Sequence, residues 1–365
     1  MPFFDREREL STLTAFYRKP GAQMVVLYGR RRIGKTTLVD HWLRKRIKTS
    51  FVYWVAHRSS SSILLTKFSR ALQTALDEVT GQMRFDDWEA AVEQMFSAAR
   101  RRRLVVVIDE LPYLMEAVAD FASILQAAWD REAKKSKLFL LLSGSHYHMM
   151  QEQFLSGKGP LYGRSAADLL LEEIEPGKIE AFLPRYSPRQ VVETYSVVSG
   201  VPKYLELWDD RKPVFWNLEQ LILSPASIFR QEAVFLIQDE IPEPRTYLAV
   251  LEAIGLGART PVQVGKRAGL GPSHVGKYLH TLQQLGFVRR IVSLDVPNAR
   301  STRISRYEIK DPYLRFYYGF LYPNWSLIEQ GRNARMMAII EEQFDAFVAR
   351  TGYEELARRL LIALG

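Results

Sequence analysis

Short apolar runs alternate with amphipathic stretches along the first half of the chain. Runs of about five apolar residues at 23–28 (QMVVLY), 51–56 (FVYWVA), 104–108 (LVVVI) and 138–142 (LFLLL) predict buried β-strands. Between them, apolar residues recur at three- and four-residue intervals, most clearly over 63–100, and predict helices. A fifth, weaker strand is predicted at 168–172. Alternating strands and helices predict an α/β fold with a parallel sheet covered on both faces.

Helical spacing dominates from about residue 175 onward. A Gly200-Val201-Pro202 break divides one helical stretch, and a Pro-rich segment at 241–244 predicts a linker. Beyond the linker, the pattern predicts three short helices and then two strands, the element order of a winged helix–turn–helix. The predicted helices are 245–255, 261–268 and 273–285, and the predicted strands are 287–294 and 303–309.

A phosphate-binding sequence follows the first predicted strand. Residues 29–36 match G-x-x-x-x-G-K-[ST], in which glycines let backbone N–H groups surround a phosphate and the next helix directs its N-terminus at the same charge. Lys35 would contact the β- and γ-phosphates, and the Thr36 hydroxyl would bind Mg²⁺. We expect the nucleotide to be bound by Gly29, Arg30, Arg31, Arg32, Ile33, Gly34, Lys35, Thr36 and Thr37.

Two adjacent acids follow the predicted strand at 104–108. In open α/β sheets, ligands bind at the carboxyl ends of the strands. Asp109 would therefore hold Mg²⁺ through water, and Glu110 would polarise the attacking water. This pair distinguishes a hydrolase from a protein that only binds nucleotide. The alternative is a solvated strand end with two surface acids.

Two further residues are candidates for catalysis. Ser143 follows the strand predicted at 138–142 and would sense the γ-phosphate or position water, although serine also favours turns. Arg164 lies in a glycine-containing loop and would stabilise transition-state charge, within its own chain or from a neighbouring subunit. The alternative for Arg164 is a surface salt bridge.

Composition restricts the class of protein. Apolar residues at 47% and charged residues at 25% are typical of globular chains, and 365 residues predict two or three domains. The absence of cysteine excludes disulfides, thiolate zinc sites and cysteine nucleophiles, and favours a reducing cytosol. The apolar runs are far shorter than the ~20 residues of a membrane span, and the N-terminus does not resemble a signal peptide. We therefore expect a cytoplasmic protein with no membrane partner.

The net charge of +9 is concentrated in one segment. Residues 259–310 contain ten Lys or Arg and two Asp or Glu, whereas the rest of the chain is nearly neutral. His274 and Lys277 on the predicted recognition helix, and Arg300 and Arg303 on the wing, are therefore candidates for DNA binding, because excess positive charge attracts phosphates whatever the sequence. The alternative is contact with the ATPase core or with a protein partner.

Several motifs together resemble those of a known family. They are 4–10 (FDREREL), 28–37 (YGRRRIGKTT), 108–114 (IDELPYL), 142–145 (LSGS), 160–164 (PLYGR), 200–204 (GVPKY) and 306–316 (RYEIKDPYLRF). In this order they resemble the archaeal-type ATPase family, a branch of the STAND class of AAA+-like P-loop NTPases. The resemblance implies a five-stranded core whose phosphate-loop strand lies beside the neighbour of the acid-bearing strand. It also implies that Arg6, Gly200 and Pro202 flank the adenine, with Pro202 on the base. The alternative for Gly200 and Pro202 is an ordinary helix break.

We therefore predict a P-loop NTPase fold in four parts. These are an ATPase core at 1–174, a helical lid at 175–240, a winged helix–turn–helix at 241–322 and C-terminal helices at 323–365. Many members of the family continue into a nuclease-like domain, and the resemblance implies that 323–365 contains that domain's first helices.

The predicted function is an ATP-binding, Mg²⁺-dependent ATPase that acts as a switch. Binding of ATP or ADP would control contact of the winged helix with DNA, with a protein partner or with another copy of the chain. One alternative is a DNA motor or a replication-initiator-type ATPase, which would show DNA-stimulated turnover and assembly. Another is a regulatory module that binds nucleotide but scarcely hydrolyses it.

Overall fold

The computed structural model describes residues 4–76, 84–241, 243–292 and 305–364. It divides into two compact units, Met1–Glu172 and Glu173–Gly365. The four-part division predicted from the sequence stays a prediction.

The first unit alternates strands with helices, as the pattern predicted. Within the stretch predicted to be helical at 63–100, the described residues form helices over Ser61–Leu76 and Trp88–Ala98. The strands are β1 (Gln23–Tyr28), β2 (Phe51–Val55), β3 (Leu104–Asp109), β4 (Leu138–Gly144) and β5 (Ala167–Leu170). The helices are α1 (Glu7–Arg18), α2 (Lys35–Arg46), α3 (Ser61–Leu76), α4 (Trp88–Ala98), α5 (Leu111–Ala117), α6 (Phe121–Glu132) and α7 (Tyr147–Phe154), with a 3₁₀ turn at Ala133–Lys135.

The five strands form one parallel sheet in the order β2-β3-β4-β1-β5. The phosphate-loop strand β1 is thus separated from the acid-bearing strand β3 by β4, which confirms the predicted arrangement. In the register, Ile108 pairs with Leu142 and Leu27 pairs with Ser143. The carboxyl ends of β3, β4 and β1 consequently meet at one edge of the sheet.

Side chains of successive strand residues point to opposite faces, so each face of the sheet has its own core. On one face, Val107 and Leu141 pack with Leu13 of α1 and with Leu38 and Trp42 of α2. On the other face, strand residues such as Val106 and Leu140 pack against helices α3 to α7. Both clusters are almost fully buried, and burial on this scale is the main force that stabilises the unit.

The second unit is mostly helical. Its helices are α8 (Pro188–Val198), α9 (Pro202–Leu207), α10 (Val214–Asn217), α11 (Phe229–Gln238), α12 (Arg245–Gly255), α13 (Pro261–Arg267), α14 (Pro272–Gln284), α15 (Pro312–Phe316), α16 (Trp325–Glu329), α17 (Asn333–Val348) and α18 (Glu354–Leu364). Short 3₁₀ or π turns lie at Pro176–Ala181, Leu218–Ile222, Tyr317–Leu321, Tyr322–Asn324 and Ala349–Tyr353. Two strands, β6 (Val288–Ile291) and β7 (Arg306–Ile309), form an antiparallel pair.

Helices α12 to α14 and the pair β6–β7 fit the predicted winged helix. Helices α13 and α14 each begin with a proline. Thr260 caps α13 and forms a reciprocal capping box with Gln263. One continuous hydrophobic core joins this region to the helices before and after it, from Ile174 to Val348. The predicted lid, winged helix and C-terminal helices therefore share a core.

Among the described residues, we find no helix that is both long and apolar enough to cross a membrane.

The Gly200 turn makes a prediction about stability. A Cβ at position 200 would lie 2.0 Å from the Ile174 carbonyl oxygen, which is held close by the 2.8 Å hydrogen bond from the Ile174 N–H to the Gly200 carbonyl. We expect Gly200→Ala to lower the free energy of unfolding by about 1–3 kcal/mol, measured by thermal or urea denaturation. The control is Gly276→Ala in α14, where a Cβ meets nothing within 4 Å. This variant should raise the free energy of unfolding by up to about 1 kcal/mol, because alanine favours a helix more than glycine does. Equal stability of both variants would contradict this prediction.

Candidate nucleotide site

The loop between β1 and α2 has the backbone conformation of a phosphate cradle. Gly29 has φ +148°, and a Cβ there would lie 2.4 Å from the Leu171 carbonyl oxygen, so only glycine fits. Gly34, just before the first residue of α2, has φ +90°. The N-terminal N–H groups of a helix bind anions, and α2 starts at this point. Both predicted glycines thus have backbone conformations that a phosphate loop requires, and phosphate binding by them stays a prediction.

Three side chains hold the loop in place. Ile33 is buried in the core beneath it. The Lys35 ammonium donates to the carbonyls of Gly29 (2.9 Å) and Arg30 (3.0 Å), so it spans the loop from within. Arg6 donates to the carbonyls of Ile33 (3.3 Å) and Glu172 (2.7 Å). The structure thus brings Arg6, predicted to flank the adenine, against the end of the loop. Arg31 and Arg32 lie in the loop itself, and Thr37 is exposed in the first turn of α2.

The predicted metal ligands Thr36 and Asp109 are in direct contact. The Thr36 hydroxyl donates to Asp109 Oδ2 at 2.9 Å, and the same oxygen accepts from the Tyr53 hydroxyl, also at 2.9 Å. Asp109 Oδ1 accepts from the Glu110 backbone N–H at 3.0 Å. Asp109 is buried, and Tyr53 was not identified from the sequence. Burial, followed by the Asp109 charge, raises the pKa of Tyr53, so its hydroxyl remains a proton donor at neutral pH.

Glu110, the predicted base, is held by Ser145. The Ser145 hydroxyl donates to Glu110 Oε2 at 2.8 Å, and Ser145 is itself buried. Ser143, predicted to sense the γ-phosphate or to position water, lies within β4, and that role stays a prediction. Its hydroxyl lies on the same face of the sheet as Asp109 and has no hydrogen-bond partner among the described residues. A buried hydroxyl without a partner costs about 1–3 kcal/mol, which contact with a ligand oxygen would relieve.

Backbone strain is concentrated at the predicted nucleotide residues. Among the described residues, four that are not glycine have positive φ: Asp5, Arg32, Glu110 and Ser199. Each is either in a predicted nucleotide-binding or catalytic position or directly beside one. Such conformations cost about 1–3 kcal/mol each and cluster at functional sites.

Arg164 makes contacts that differ from its predicted role. Its guanidinium forms two hydrogen bonds to the Asp130 carboxylate, at 2.8 and 2.7 Å, and one to the Pro160 carbonyl at 2.9 Å. The Arg164 hydrogen bond lowers the pKa of Asp130. These contacts match the alternative of a surface salt bridge, and catalysis by Arg164 stays a prediction.

Gly200 and Pro202 lie in the second unit, where a structural network surrounds them. Ser199 has φ +57° and ψ −162°, a region that otherwise favours glycine, and its hydroxyl donates to Glu173. Pro202 begins α9, and two residues later the Tyr204 hydroxyl donates to buried Glu232 at 2.6 Å. Contact of Gly200 and Pro202 with adenine stays a prediction.

The predicted DNA-binding residues are only partly described. His274 and Lys277 are exposed on α14, whereas Arg300 and Arg303 lie outside the described residues. Tyr278, a further polar residue of this helix, packs edge-on against Tyr247 of α12 with ring centroids 4.9 Å apart. It belongs to the packed side of the helix.

Part of the positive charge of this region is neutralised internally. Arg289 of β6 pairs with Glu308 and, at 2.7 Å, with Glu355 of α18. Burial alone would raise the pKa of Glu355, but hydrogen bonds from Arg358, Arg359 and Arg289 outweigh it and lower that pKa to about 2. The local charge counted from the sequence thus overstates the charge available to a ligand.

Comparison with known proteins establishes the family. Residues 3–207 match the model of an ATPase domain predominantly from Archaea. An uncharacterized protein of Methanocaldococcus jannaschii is 32% identical over 99% of this chain and 78% of its own length. This chain belongs to that archaeal ATPase family. The resemblance predicted from the motifs is confirmed, while placement in the STAND class stays a prediction.

Solved structures agree on the fold. The Walker-type ATPase of Pyrococcus abyssi superposes with a TM-score of 0.61 at 17% identity, covering 87% of this chain and 96% of that one. The ORC2 protein of Aeropyrum pernix, solved as ADPNP–ADP complexes, has a TM-score of 0.56 at 13% identity and covers 95% of this chain and 96% of its own. This member of the archaeal ATPase family therefore shares its fold with these two proteins.

The donor set fits Mg²⁺. The described residues contain no group of three or more His, Asp or Glu that could hold a metal ion by itself. Mg²⁺ in nucleotide sites is typically bound by one or two protein oxygens together with phosphates and water. Thr36 and Asp109, whose oxygens are 2.9 Å apart, could supply those oxygens, and their role as Mg²⁺ ligands stays a prediction.

The contacts of Arg6 predict that it stabilises the loop. Its guanidinium is buried, and its hydrogen bonds connect the start of α1 to the carbonyls of Ile33 and Glu172. We expect Arg6→Ala to lower the free energy of unfolding by about 2–4 kcal/mol, since it leaves two carbonyls without a charged donor. The control is Arg8→Ala, because Arg8 is exposed in the same helix. Urea denaturation in which both variants unfold like the wild type would contradict the prediction.

Proposed function

We propose that this archaeal-family ATPase binds ATP with Mg²⁺ and hydrolyses it. The contact of Thr36 and Asp109 at the end of β3, directly beside Glu110, carries this proposal. It unites a loop that can hold phosphates, two oxygens that can hold a hard cation and a carboxylate that can accept a proton. The family and the nucleotide complexes of ORC2 agree with it.

Each residue has a distinct role in the proposed reaction. The loop N–H groups and Lys35 hold the β- and γ-phosphates, for which Lys35 exchanges its loop carbonyls for phosphate oxygens. Thr36 and Asp109 would hold Mg²⁺, which would supply positive charge to offset that of the phosphates. Glu110, oriented by Ser145, accepts a proton from the attacking water. The Ser143 hydroxyl donates a hydrogen bond to the γ-phosphate or to that water.

A network in the second unit supports a switch. Tyr204 lies two residues after Pro202, and its ring packs against the rings of Phe229 and Tyr313. The ring centroids are 4.9 and 5.7 Å from that of Tyr204. Tyr313 is in α15, which directly follows the wing strand β7, and its hydroxyl donates to the Phe229 carbonyl at 2.6 Å. Because this core is close-packed, a displacement of α9 would be transmitted to the wing. Nucleotide-dependent movement of the Pro202 turn would thus reach the winged helix.

DNA is the partner that the winged-helix surface favours. A groove runs between α13, α14 and the wing, and none of the described residues lining it is acidic. Its polar lining includes His280, Gln283, Arg290, Arg306 and Tyr307. Gly276 also lines it, in the interior of α14 with open space above its Cα, where a phosphate backbone can approach closely. A protein partner would find few carboxylates here to pair with its own basic groups.

Hydrolysis is tested with Glu110→Gln, which retains an oxygen that accepts from Ser145 but removes the base. We expect turnover to fall by about 10²–10⁴-fold while ATP affinity changes little, measured by phosphate release and equilibrium binding. Glu89→Gln, an exposed glutamate of α4, is the matched control and should behave like the wild type.

The outcomes separate the alternatives. Unchanged turnover in Glu110→Gln would overturn the assignment of the base. A wild-type protein that binds ATP without hydrolysing it would favour a regulatory module. Strong stimulation by duplex DNA together with assembly into rings or filaments would instead favour a motor or a replication-initiator-type ATPase.

DNA binding is tested with Arg306→Ala and Lys277→Ala in duplex-binding titrations over a salt series. Each variant should bind more weakly on every sequence, and the slope of log K against log salt should fall by about one for each phosphate that the protein no longer neutralises. The control Arg44→Ala removes an exposed positive charge from α2 in the first unit and should have no effect. Failure of the wild type to bind duplex DNA at low salt would favour a protein partner.

A further inference from the structure

A tyrosine outside every motif of the site contacts its most buried acid. Tyr53 lies on β2, the edge strand that pairs with β3, and Val55 two residues later pairs with Asp109. Its side chain points to the face covered by α2, where its ring packs against the core of that face. The hydroxyl donates to Asp109 Oδ2 at 2.9 Å. The ring is therefore anchored, and only its tip reaches the site.

The hydroxyls of Tyr53 and Thr36 meet at the same carboxylate oxygen. Both donate to Asp109 Oδ2 at 2.9 Å, while the Glu110 N–H occupies Oδ1. The carboxylate is thus fixed by three donors from three different segments. Partners of this kind orient the groups that bind a metal, and their removal typically weakens the site without removing a ligand.

We propose that Tyr53 is a positioning residue for the Mg²⁺ site, acting through Asp109. It holds the Asp109 carboxylate in the plane in which Oδ2 can accept from Thr36, which leaves the lone pairs of the Thr36 hydroxyl directed at the cation. Phenylalanine at this position would keep the packing and remove one of the three donors that orient the carboxylate. This inference rests on the Mg²⁺ role in the proposed function.

The test is the dependence of nucleotide binding on Mg²⁺ in the full chain, measured by titrating a fluorescent ADP with and without the metal. In Tyr53→Phe, the Mg²⁺ concentration that gives half of the increase in affinity should rise about 10–100-fold. Affinity measured in EDTA should stay at the wild-type value, because the Tyr53 hydroxyl donates to Asp109 rather than to the phosphate loop or Lys35.

Tyr17→Phe is the matched control. The Tyr17 ring packs on the same face, against Trp42 and Phe139. Among the described residues, its hydroxyl makes only an exposed 3.5 Å contact, to Thr49. This variant should keep the wild-type response to Mg²⁺. The inference would be overturned if the Mg²⁺ concentration for half of the affinity increase in Tyr53→Phe lay within about twofold of the wild-type value, since removal of such partners typically has a larger effect. A loss of affinity in EDTA with an unchanged Mg²⁺ response would also overturn it.

A double variant tests whether Tyr53 acts through Asp109. Asp109→Asn should by itself weaken the response to Mg²⁺, and adding Tyr53→Phe should then cost little more, since coupled residues are not additive. Independent, additive losses would overturn the proposed route. If the nucleotide affinity of the wild type did not depend on Mg²⁺, the proposed Mg²⁺ role and this inference would both be overturned. A Mg²⁺-sensitive wild type with a normal Tyr53→Phe variant would overturn the inference alone.

Discussion

The hydrogen bond from Thr36 to Asp109 can form only if two segments more than seventy residues apart end at the same edge and on the same face of the sheet. Because β4 lies between β1 and β3, these two strands are not adjacent in the sheet. Helix α2 packs across the face that the three strands share. The alternation of β3 buries Val105 and Val107 under α2 and therefore directs Asp109 to the same side. The position of the acid is thus a consequence of the core that stabilises the sheet.

Two hydroxyl groups hold the acids of the site. Tyr53 donates to Asp109 and Ser145 donates to Glu110, which restricts the rotation of both carboxylates. The backbone is strained at Arg32 and Glu110, and packing of Ile33 and the contacts of Arg6 offset that strain. A site built in this way is preorganised, because the cost of orienting its groups is met during folding.

The second unit connects regions that the sequence presents as separate. Its single core extends from Ile174 to Val348, and Glu355 beyond it pairs with Arg289 of the wing. Tyr204 packs against Tyr313 and so joins the Pro202 turn to α15, the helix that follows β7. Contacts within the second unit thus link residues that lie far apart in the sequence.

The sequence by itself determined the local features: the strands at 23–28 and 104–108, the glycines of the phosphate loop and the adjacent acids, because each depends on neighbouring residues and backbone conformation. It also indicated the family, since the motifs occur in a fixed order. Only the tertiary structure decided which side chains meet. Ser145 contacts Glu110, Tyr53 contacts Asp109, and Arg164 pairs with Asp130. These contacts join residues 35, 56 and 34 positions apart, and a distance of that kind is set by strand order and helix packing, which no local pattern encodes.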